Sequence, residues 1–231
     1  AMTGADGPDR LGPTRVTAAG LATPKQVLAA TGIAFAIATA AGAYLISVAG
    51  WPILAIGLAA LLAAVGYTAG PFPLGYIGLG EVASFAFFGP VAVAGTYFVQ
   101  AGTVDPMAWL LSVPIGLWVA AIMVVNNLRD APTDAKVGKR TLAVRFGTNF
   151  ARGLYVALLT GGFLLPAVLA FDGLGWAGLV PLLALPLAIP PLRAVLGPPE
   201  GPALNGALAA TGQLLLAGGG LLAGGLVLGG A

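Results

Sequence analysis

Two aspartates and an asparagine recur at intervals of four residues near the middle of the sequence, at Asn126, Asp130 and Asp134. Residues four apart on a helix project from the same face, so these carboxylates and this amide would face one space. Mg²⁺ is typically held by one or two carboxylates together with water and the phosphates of a substrate. The spacing therefore predicts Asp130 and Asp134 as ligands of a Mg²⁺ ion that also binds phosphate.

Three basic residues, Lys136, Lys139 and Arg140, follow this cluster directly. Lysine and arginine are common partners of phosphate groups, so they fit a diphosphate beside the metal. Spacing alone also allows a solvated loop whose carboxylates cap helices and balance neighbouring lysines. Pro132 supports that alternative, because proline is disfavoured inside a helix and could mark a helix end here.

The composition restricts the solvent and the chemistry of the chain. Of its 231 residues, 58% are hydrophobic and 8% are charged, whereas soluble domains are about a quarter charged. The sequence contains no cysteine and no histidine, which excludes disulfides, thiol nucleophiles, Cys/His zinc sites and Ser-His-Asp triads. The chain is therefore expected in a lipid bilayer, with carboxylates and basic residues as its reactive groups.

Long apolar stretches predict the elements that position this cluster. A helix needs about 20 apolar residues to cross a bilayer, and Gly or Pro separates most of the stretches. We predict an all-α, polytopic helical bundle of about seven transmembrane helices, near residues 26–49, 51–68, 81–100, 106–128, 150–171, 176–194 and 205–229.

The basic residues sort to one side of this predicted bundle. If the connections alternate between the two faces, all ten Lys and Arg residues lie on one face, which the positive-inside rule makes cytoplasmic. The polar segments 1–25 and 129–152 are then cytoplasmic loops, together with the connection 67–76. The opposite face carries only Asp105 and Asp172.

One acidic residue stands apart from these loops. Glu81 is the only charged residue between positions 26 and 104. An ionisable group in or near a membrane is a functional candidate by default, although the start of a helix also favours a carboxylate. The segment 1–25, taken alone, is typical of a disordered tail.

The run from Asn126 to Gly147, N-N-L-R-D-A-P-T-D-A-K-V-G-K-R-T-L-A-V-R-F-G, resembles the second aspartate-rich motif of the UbiA-type intramembrane aromatic prenyltransferases. Residues 4–13 are similar to the end of that family's first aspartate-rich motif, and residues 67–81 to its middle cytoplasmic loop. Leu204, Asn205 and Thr211 are similar to its last helix. The sequence of this run most resembles the branch of the family that acts on 1,4-dihydroxy-2-naphthoate in menaquinone biosynthesis.

This resemblance implies a fold, a reaction and a location. The family fold has nine transmembrane helices around a central cavity, in a single domain that would here span residues 1–231. It implies Mg²⁺-dependent loss of diphosphate from a polyprenyl diphosphate and attack by the dihydroxynaphthoate ring with decarboxylation, giving demethylmenaquinone. The bilayer of a bacterial plasma membrane would surround the protein, with the active face cytoplasmic and no nucleic-acid partner.

The same resemblance assigns roles to individual residues. It implies metal binding by Asp6, Asp130 and Asp134. It implies catalytic contacts with diphosphate for Lys136, Lys139 and Arg140. It implies substrate binding by Arg10, Arg15, Tyr67, Glu81, Asn126, Asn127 and Arg129.

Two departures from the family pattern qualify these expectations. The earlier Asn-Asp pair of the first motif and two of the nine helices have no counterpart in the sequence, which predicts an N-terminally truncated chain with weak or no activity. Phe72 stands where the family usually carries Lys or Arg, so one diphosphate contact is in doubt.

Other functions remain open at this point. The acceptor could be 4-hydroxybenzoate, haem or chlorophyllide, as in sister prenyltransferases. A transporter would also be polytopic, but its ionisable groups usually lie near the bilayer midplane rather than at one face. A purely structural membrane subunit would not need the cluster at 126–147.

Overall fold

The computed structural model describes residues 11–14, 16–198 and 201–230, and within these ranges it contains helices and turns but no strand. The helices are α1 (Pro24–Ala49), α2 (Trp51–Gly66), α3 (Gly80–Ala86), α4 (Ala92–Ala101), α5 (Pro106–Lys136), α6 (Leu142–Phe146), α7 (Thr148–Leu169), α8 (Leu185–Leu196) and α9 (Gly201–Gly229). A π-helical turn, Phe87–Val91, joins α3 to α4. A second π-helical turn, Ala170–Leu174, and a 3₁₀ segment, Gly175–Ala184, connect α7 to α8.

These helices reproduce the seven predicted crossings. Among the described residues, five helical segments are long and apolar enough to cross a membrane. One of them, Thr148–Leu196, turns at Asp172 and Gly173, whose dihedral angles are not helical, and so makes two passes. Trp51–Gly66 adds a shorter apolar helix, which brings the number to seven. The predicted all-α, polytopic membrane fold is confirmed.

Helix α5 is the centre of the bundle. It packs against α3, α7 and α9, and its buried face includes Trp118, which is fully enclosed. Close approach depends on glycine where the first π-helical turn crosses α5. A Cβ on Gly89 would lie 2.6 Å from the Cα of Gly116, so no larger residue fits that crossing.

The end of α5 differs from the sequence-based prediction. The predicted crossing stopped at residue 128 and the predicted loop began at 129, but α5 remains helical to Lys136 and includes Pro132. Leu128, Arg129 and Asp134 are buried in these last turns, so contacts with neighbouring helices outweigh the preference of proline against helix. At ~1.5 Å per residue, α5 is longer than the ~30 Å apolar layer, and we expect its last turns, which carry all of its charged residues, to extend beyond that layer.

Candidate active site

A polar cavity of about 270 Å³ lies beside the last turns of α5. Its wall is built from three parts of the chain that are far apart in sequence: the connection after α2, the end of α5 with the turn that follows it, and Leu11 with Pro13. The lining residues are Leu11, Pro13, Tyr67, Thr68, Gly75, Tyr76, Asn126, Arg129, Asp130, Thr133, Asp134, Val137 and Lys139.

The connection after α2 is held against the turn after α5 by backbone hydrogen bonds. The amide of Gly75 donates to the carbonyl of Tyr67 at 2.9 Å, which folds the connection back on itself. The amide of Arg140 donates to the carbonyl of Tyr76 at 2.8 Å. Gly78 has a φ of +83°, and a Cβ added there would lie 3.0 Å from the carbonyl oxygen of Arg140, so a side chain would be strained and crowded. These contacts close one wall of the cavity.

Arg129 organises the side chains of the cavity. The residue is 6% exposed, and its guanidinium donates to both carboxylate oxygens of Asp130, at 2.7 and 2.8 Å. It also donates to the side-chain oxygen of Asn126 at 2.8 Å and to that of Asn205 at 2.9 Å. Such a two-pronged arginine–carboxylate pair fixes orientation as well as distance. Arg129 therefore holds Asp130 and Asn126 in place and links them to Asn205 in the first turns of α9.

Asp134 forms a second ion pair one turn further along α5. Its carboxylate accepts a hydrogen bond from the ammonium group of Lys139 at 2.8 Å. Burial raises the pKa of Asp134 above its ordinary value, although the hydrogen bond and charge of Lys139 act in the opposite direction. A further positive charge in the cavity would favour the ionised form of this carboxyl group.

These residues fit a Mg²⁺ ion that is shared with a substrate. No group of three or more acidic or imidazole side chains able to hold a metal occurs among the described residues. Asp130 and Asp134 nevertheless line the same cavity, and Asn126 adds an amide oxygen. Mg²⁺ usually takes one or two carboxylates and completes its shell with water and substrate phosphates. Asp130 and Asp134 are thus the candidate protein ligands in the described chain.

An apolar groove of about 550 Å³ adjoins the polar cavity, and Tyr67 lines both. The groove runs along the end of α2, past α3 and the first π-helical turn. It is lined by Ala60, Ala63, Ala64, Tyr67, Ala83, Ser84, Phe87, Phe88, Val91 and Met123. A ligand with a charged head and an apolar chain would match the two spaces on either side of Tyr67.

Glu81 and Asn127 form a buried pair behind this junction. The side-chain amide of Asn127 donates to Oε1 of Glu81 at 2.8 Å, which ties α3 to α5. The hydroxyl of Tyr67 lies 3.4 Å from Sδ of Met123. Burial raises the pKa of Tyr67, and the negative charges of Glu81 and Asp134 raise it further.

Comparison with known proteins adds a family to this geometry. The sequence profile of the UbiA prenyltransferase family matches residues 8–203, which include both the polar cavity and the groove. The chain belongs to this family.

Relatives of this UbiA-family chain include three bacterial proteins named 1,4-dihydroxy-2-naphthoate octaprenyltransferase. The Mycobacterium tuberculosis protein is 42% identical over 78% of this chain and 61% of its own length. The Mycobacterium leprae protein is 39% identical over 96% of this chain and 75% of its own length. The Escherichia coli protein is 36% identical over 85% of this chain and 66% of its own length. The chain thus spans about three fifths to three quarters of these relatives.

The structure brings several of the predicted site residues of this UbiA-family chain to one cavity and leaves others outside it. The cavity is lined by Tyr67, Asn126, Arg129, Asp130, Asp134 and Lys139. Glu81 and Asn127 lie behind its wall, as described above. Lys136 and Arg140 are exposed and do not line it, so their roles toward diphosphate stay predictions. Asp6, Arg10 and Arg15 lie outside the described residues.

Sequence reasoning did not assign a site role to Asn205. Its side chain accepts from Arg129 and donates to the carbonyl of Leu11 at 3.0 Å, so it joins α9 to the cavity wall. The available signal was an amide in the first turns of an otherwise apolar helix. That signal does not name a partner, because Arg129 is 76 residues away in sequence.

Proposed function

We propose that this UbiA-family protein transfers a polyprenyl group from polyprenyl diphosphate to 1,4-dihydroxy-2-naphthoate. The observation that carries the proposal is the polar cavity with two aspartates and two basic side chains, joined at Tyr67 to an apolar groove. This pair of spaces matches the two chemically different ends of a prenyl diphosphate. The names of the relatives support the choice of acceptor.

The polar cavity serves the diphosphate end of the donor. Arg129 and Lys139 supply positive charge there, and each is already oriented by an aspartate. As the allylic C–O bond breaks, its electron pair leaves with the diphosphate, and fixed cations stabilise that developing charge. Asp130 and Asp134 would hold Mg²⁺, which when bound neutralises charge on the diphosphate oxygens.

The groove serves the prenyl chain. Its lining is almost entirely aliphatic and aromatic, and it begins at Tyr67, beside the site proposed for diphosphate. An apolar wall next to the reacting carbon keeps water from an allylic cation and so protects it from hydrolysis. Tyr67, which lines both spaces, stands at the position where the new carbon–carbon bond would form.

The acceptor completes the reaction. A ring carbon of the dihydroxynaphthoate bonds to the allylic carbon, and its carboxylate leaves as carbon dioxide, returning an electron pair to the ring. The products are diphosphate, carbon dioxide and the prenylated naphthalenediol, which is the reduced form of demethylmenaquinone. The sorting of basic residues supports a site that faces the cytoplasm from the plasma membrane of a bacterium.

A transfer assay in liposomes tests this function. The protein is incubated with Mg²⁺, a polyprenyl diphosphate and one acceptor at a time, and the products are analysed by mass spectrometry. Product is expected with 1,4-dihydroxy-2-naphthoate and not with 4-hydroxybenzoate. Transfer to 4-hydroxybenzoate alone would show that the proposed acceptor is wrong. Absence of transfer to any aromatic acceptor would contradict the proposed reaction.

A further inference from the structure

The two carboxylate oxygens of Glu81 differ in their hydrogen bonding. Its Oε1 accepts from Asn127, but Oε2 is buried and has no hydrogen-bond partner among the residues that the structure describes. The residue is 5% exposed. A buried polar atom without a partner is costly, and one retained in a site often marks the place of a missing ligand.

The location of Glu81 connects it to both spaces of the proposed site. Ser84, one turn further along α3, lines the apolar groove together with Met123. On the other side, Asn126 adjoins the partner of Glu81 and lines the polar cavity. Glu81 therefore lies behind the junction at which donor and acceptor would meet.

Tyr67 lines both spaces of that junction, and its hydroxyl lies beside Gly80, the residue before Glu81. Among the described residues its hydroxyl has one hydrogen-bond partner, the sulfur of Met123, which is a weak acceptor. The hydroxyl also lies 3.1 Å from the position that a Cβ on Gly80 would take, so the glycine leaves room for the phenol. A change of side-chain rotamer of Tyr67 would open the path to Glu81.

We propose that Oε2 of Glu81 accepts a hydrogen bond from a ring hydroxyl of the aromatic acceptor once the side chain of Tyr67 turns aside. The inference rests on the proposed function, because it takes the acceptor to be a hydroxylated aromatic ring. The bond supplies the missing partner of a buried carboxylate. It also draws the hydroxyl proton away from the ring, which increases electron density at the carbon that is prenylated.

This role gives Glu81 a part in acceptor recognition. A carboxylate accepts from a hydroxyl but has nothing to offer a methyl ether, so Glu81 would select acceptors with a free hydroxyl at one ring position. Hydrogen bonds to charged groups are worth enough to change affinity by about tenfold or more. The affinity for polyprenyl diphosphate does not depend on this contact, so the effect falls on the acceptor.

The test compares Glu81→Gln with the natural protein, using 1,4-dihydroxy-2-naphthoate and each of its two mono-methyl ethers. Glutamine keeps an oxygen for Asn127 and removes the carboxylate oxygen offered to the ligand. Acceptor binding is measured in detergent by ligand fluorescence, and KM values for acceptor and polyprenyl diphosphate are measured in liposomes. Asp172→Asn, at the opposite end of the bundle, is the matched control, and thermal unfolding verifies that both variants fold.

In the natural protein, one methyl ether should bind about tenfold more weakly than the dihydroxy compound. In Glu81→Gln the dihydroxy compound should fall to that level, and methylation should cause no further loss. The acceptor KM should rise while the KM for polyprenyl diphosphate follows the Asp172→Asn control. A methylation penalty that persists in Glu81→Gln would be steric and would overturn the inference.

Further outcomes distinguish this inference from a structural role of Oε2 toward Tyr67 and from the proposed function itself. If Tyr67→Phe abolishes the methylation penalty as Glu81→Gln does, Oε2 serves the tyrosine rather than the acceptor, and the inference fails. A protein that shows the Glu81-dependent affinity but forms no product would count against the proposed reaction and leave the acceptor contact standing. Product formation with unchanged acceptor affinity in Glu81→Gln would overturn the acceptor contact and leave the proposed reaction standing.

Discussion

The α1–α2 hairpin and helix α5 are both long apolar segments, yet they occupy the bundle in different ways. Helix α1, all of whose residues the structure describes, has no buried residue, and in α2 Ile53 is the buried one. Helix α5 buries residues along most of its length, from Ala108 to Asp134. Hydropathy alone does not distinguish the two, because lipid and protein interior are similarly apolar.

The difference shows where the chemistry can reside. A helix packed on several sides holds its polar side chains at fixed positions, as Arg129 and Asp134 are held at the end of α5. A helix that faces lipid offers an apolar wall, as α2 does to the groove. The hairpin meets the polar cavity at its end, through Tyr67 and the connection that follows it.

The largest expected effect comes from breaking the arginine network of α5. Arg129→Ala would leave the carboxylate of Asp130 and the amide of Asn205 without their shared donor. Loss of a fixed electrostatic group in an active site typically lowers kcat by about 100-fold or more. Arg129→Lys keeps the charge but cannot bond both carboxylate oxygens, so it should recover part of the activity. Equal kcat values for Arg129→Ala and the natural protein would remove Arg129 from the site.

A matched pair of leucine substitutions compares the two regions directly. Leu214 in α9 packs in the core around α5 and is 0% exposed, whereas Leu62 in α2 is 73% exposed. Leu214→Ala opens a cavity and should lower the free energy of unfolding by about 2 kcal/mol or more. Leu62→Ala removes a lipid-facing side chain and should change it by less than about 0.5 kcal/mol. Unfolding in mixed detergent measures both, and equal losses would contradict the described packing.

Asn205 tests how far the network extends from α5. Asn205→Ala removes one acceptor from Arg129 and the donor to Leu11, so the orientation of Asp130 should loosen. We expect kcat/KM to fall by about tenfold, the usual size for a hydrogen bond to a charged group. Asn149→Ala, an exposed residue at the start of α7, is the control of the same type. Indistinguishable kinetics for the two variants would restrict the network to α5.

The two lysines after the aspartates give the smallest expected effect. Lys139 lines the cavity and pairs with Asp134, whereas Lys136 is exposed outside it. Lys139→Ala should raise the KM for polyprenyl diphosphate by several-fold, and Lys136→Ala should raise it by less. A larger effect at Lys136 would favour the prediction made from sequence over the position seen in the structure.

Much of the fold could be predicted because its signals are local. Apolar runs, Gly and Pro between them, and the one-sided placement of basic residues indicate the seven crossings. The C-terminal end of α5 could not be predicted, because Pro132 indicates that a helix ends there. Contacts with other helices keep the segment helical to Lys136. The cluster Asn126, Asp130 and Asp134 was found because its members lie within a few turns of one another.

The remaining parts of the site depend on contacts between distant segments. Arg129 donates a hydrogen bond to Asn205, which is 76 residues away in sequence, and Glu81 accepts one from Asn127, which is 46 residues away. The cavity wall also needs the backbone of Arg140 to pair with Tyr76, which no side-chain pattern reports. Family resemblance identified Arg129 and Tyr67 as candidates, and Glu81 also stood out as the only charged residue between positions 26 and 104. The partners of all three could be found only from the fold.

The most direct test of the account is the Mg²⁺ dependence of prenyl transfer in Asp130→Ala and Asp134→Ala. The central claim is that these two carboxylates at the end of α5 hold the metal ion that binds the donor diphosphate. Transfer to 1,4-dihydroxy-2-naphthoate should require Mg²⁺ in the natural protein and in the Asp172→Asn control. It should fall by about 100-fold or more in both α5 variants. Unchanged transfer in either variant, with the same Mg²⁺ requirement, would contradict the claim.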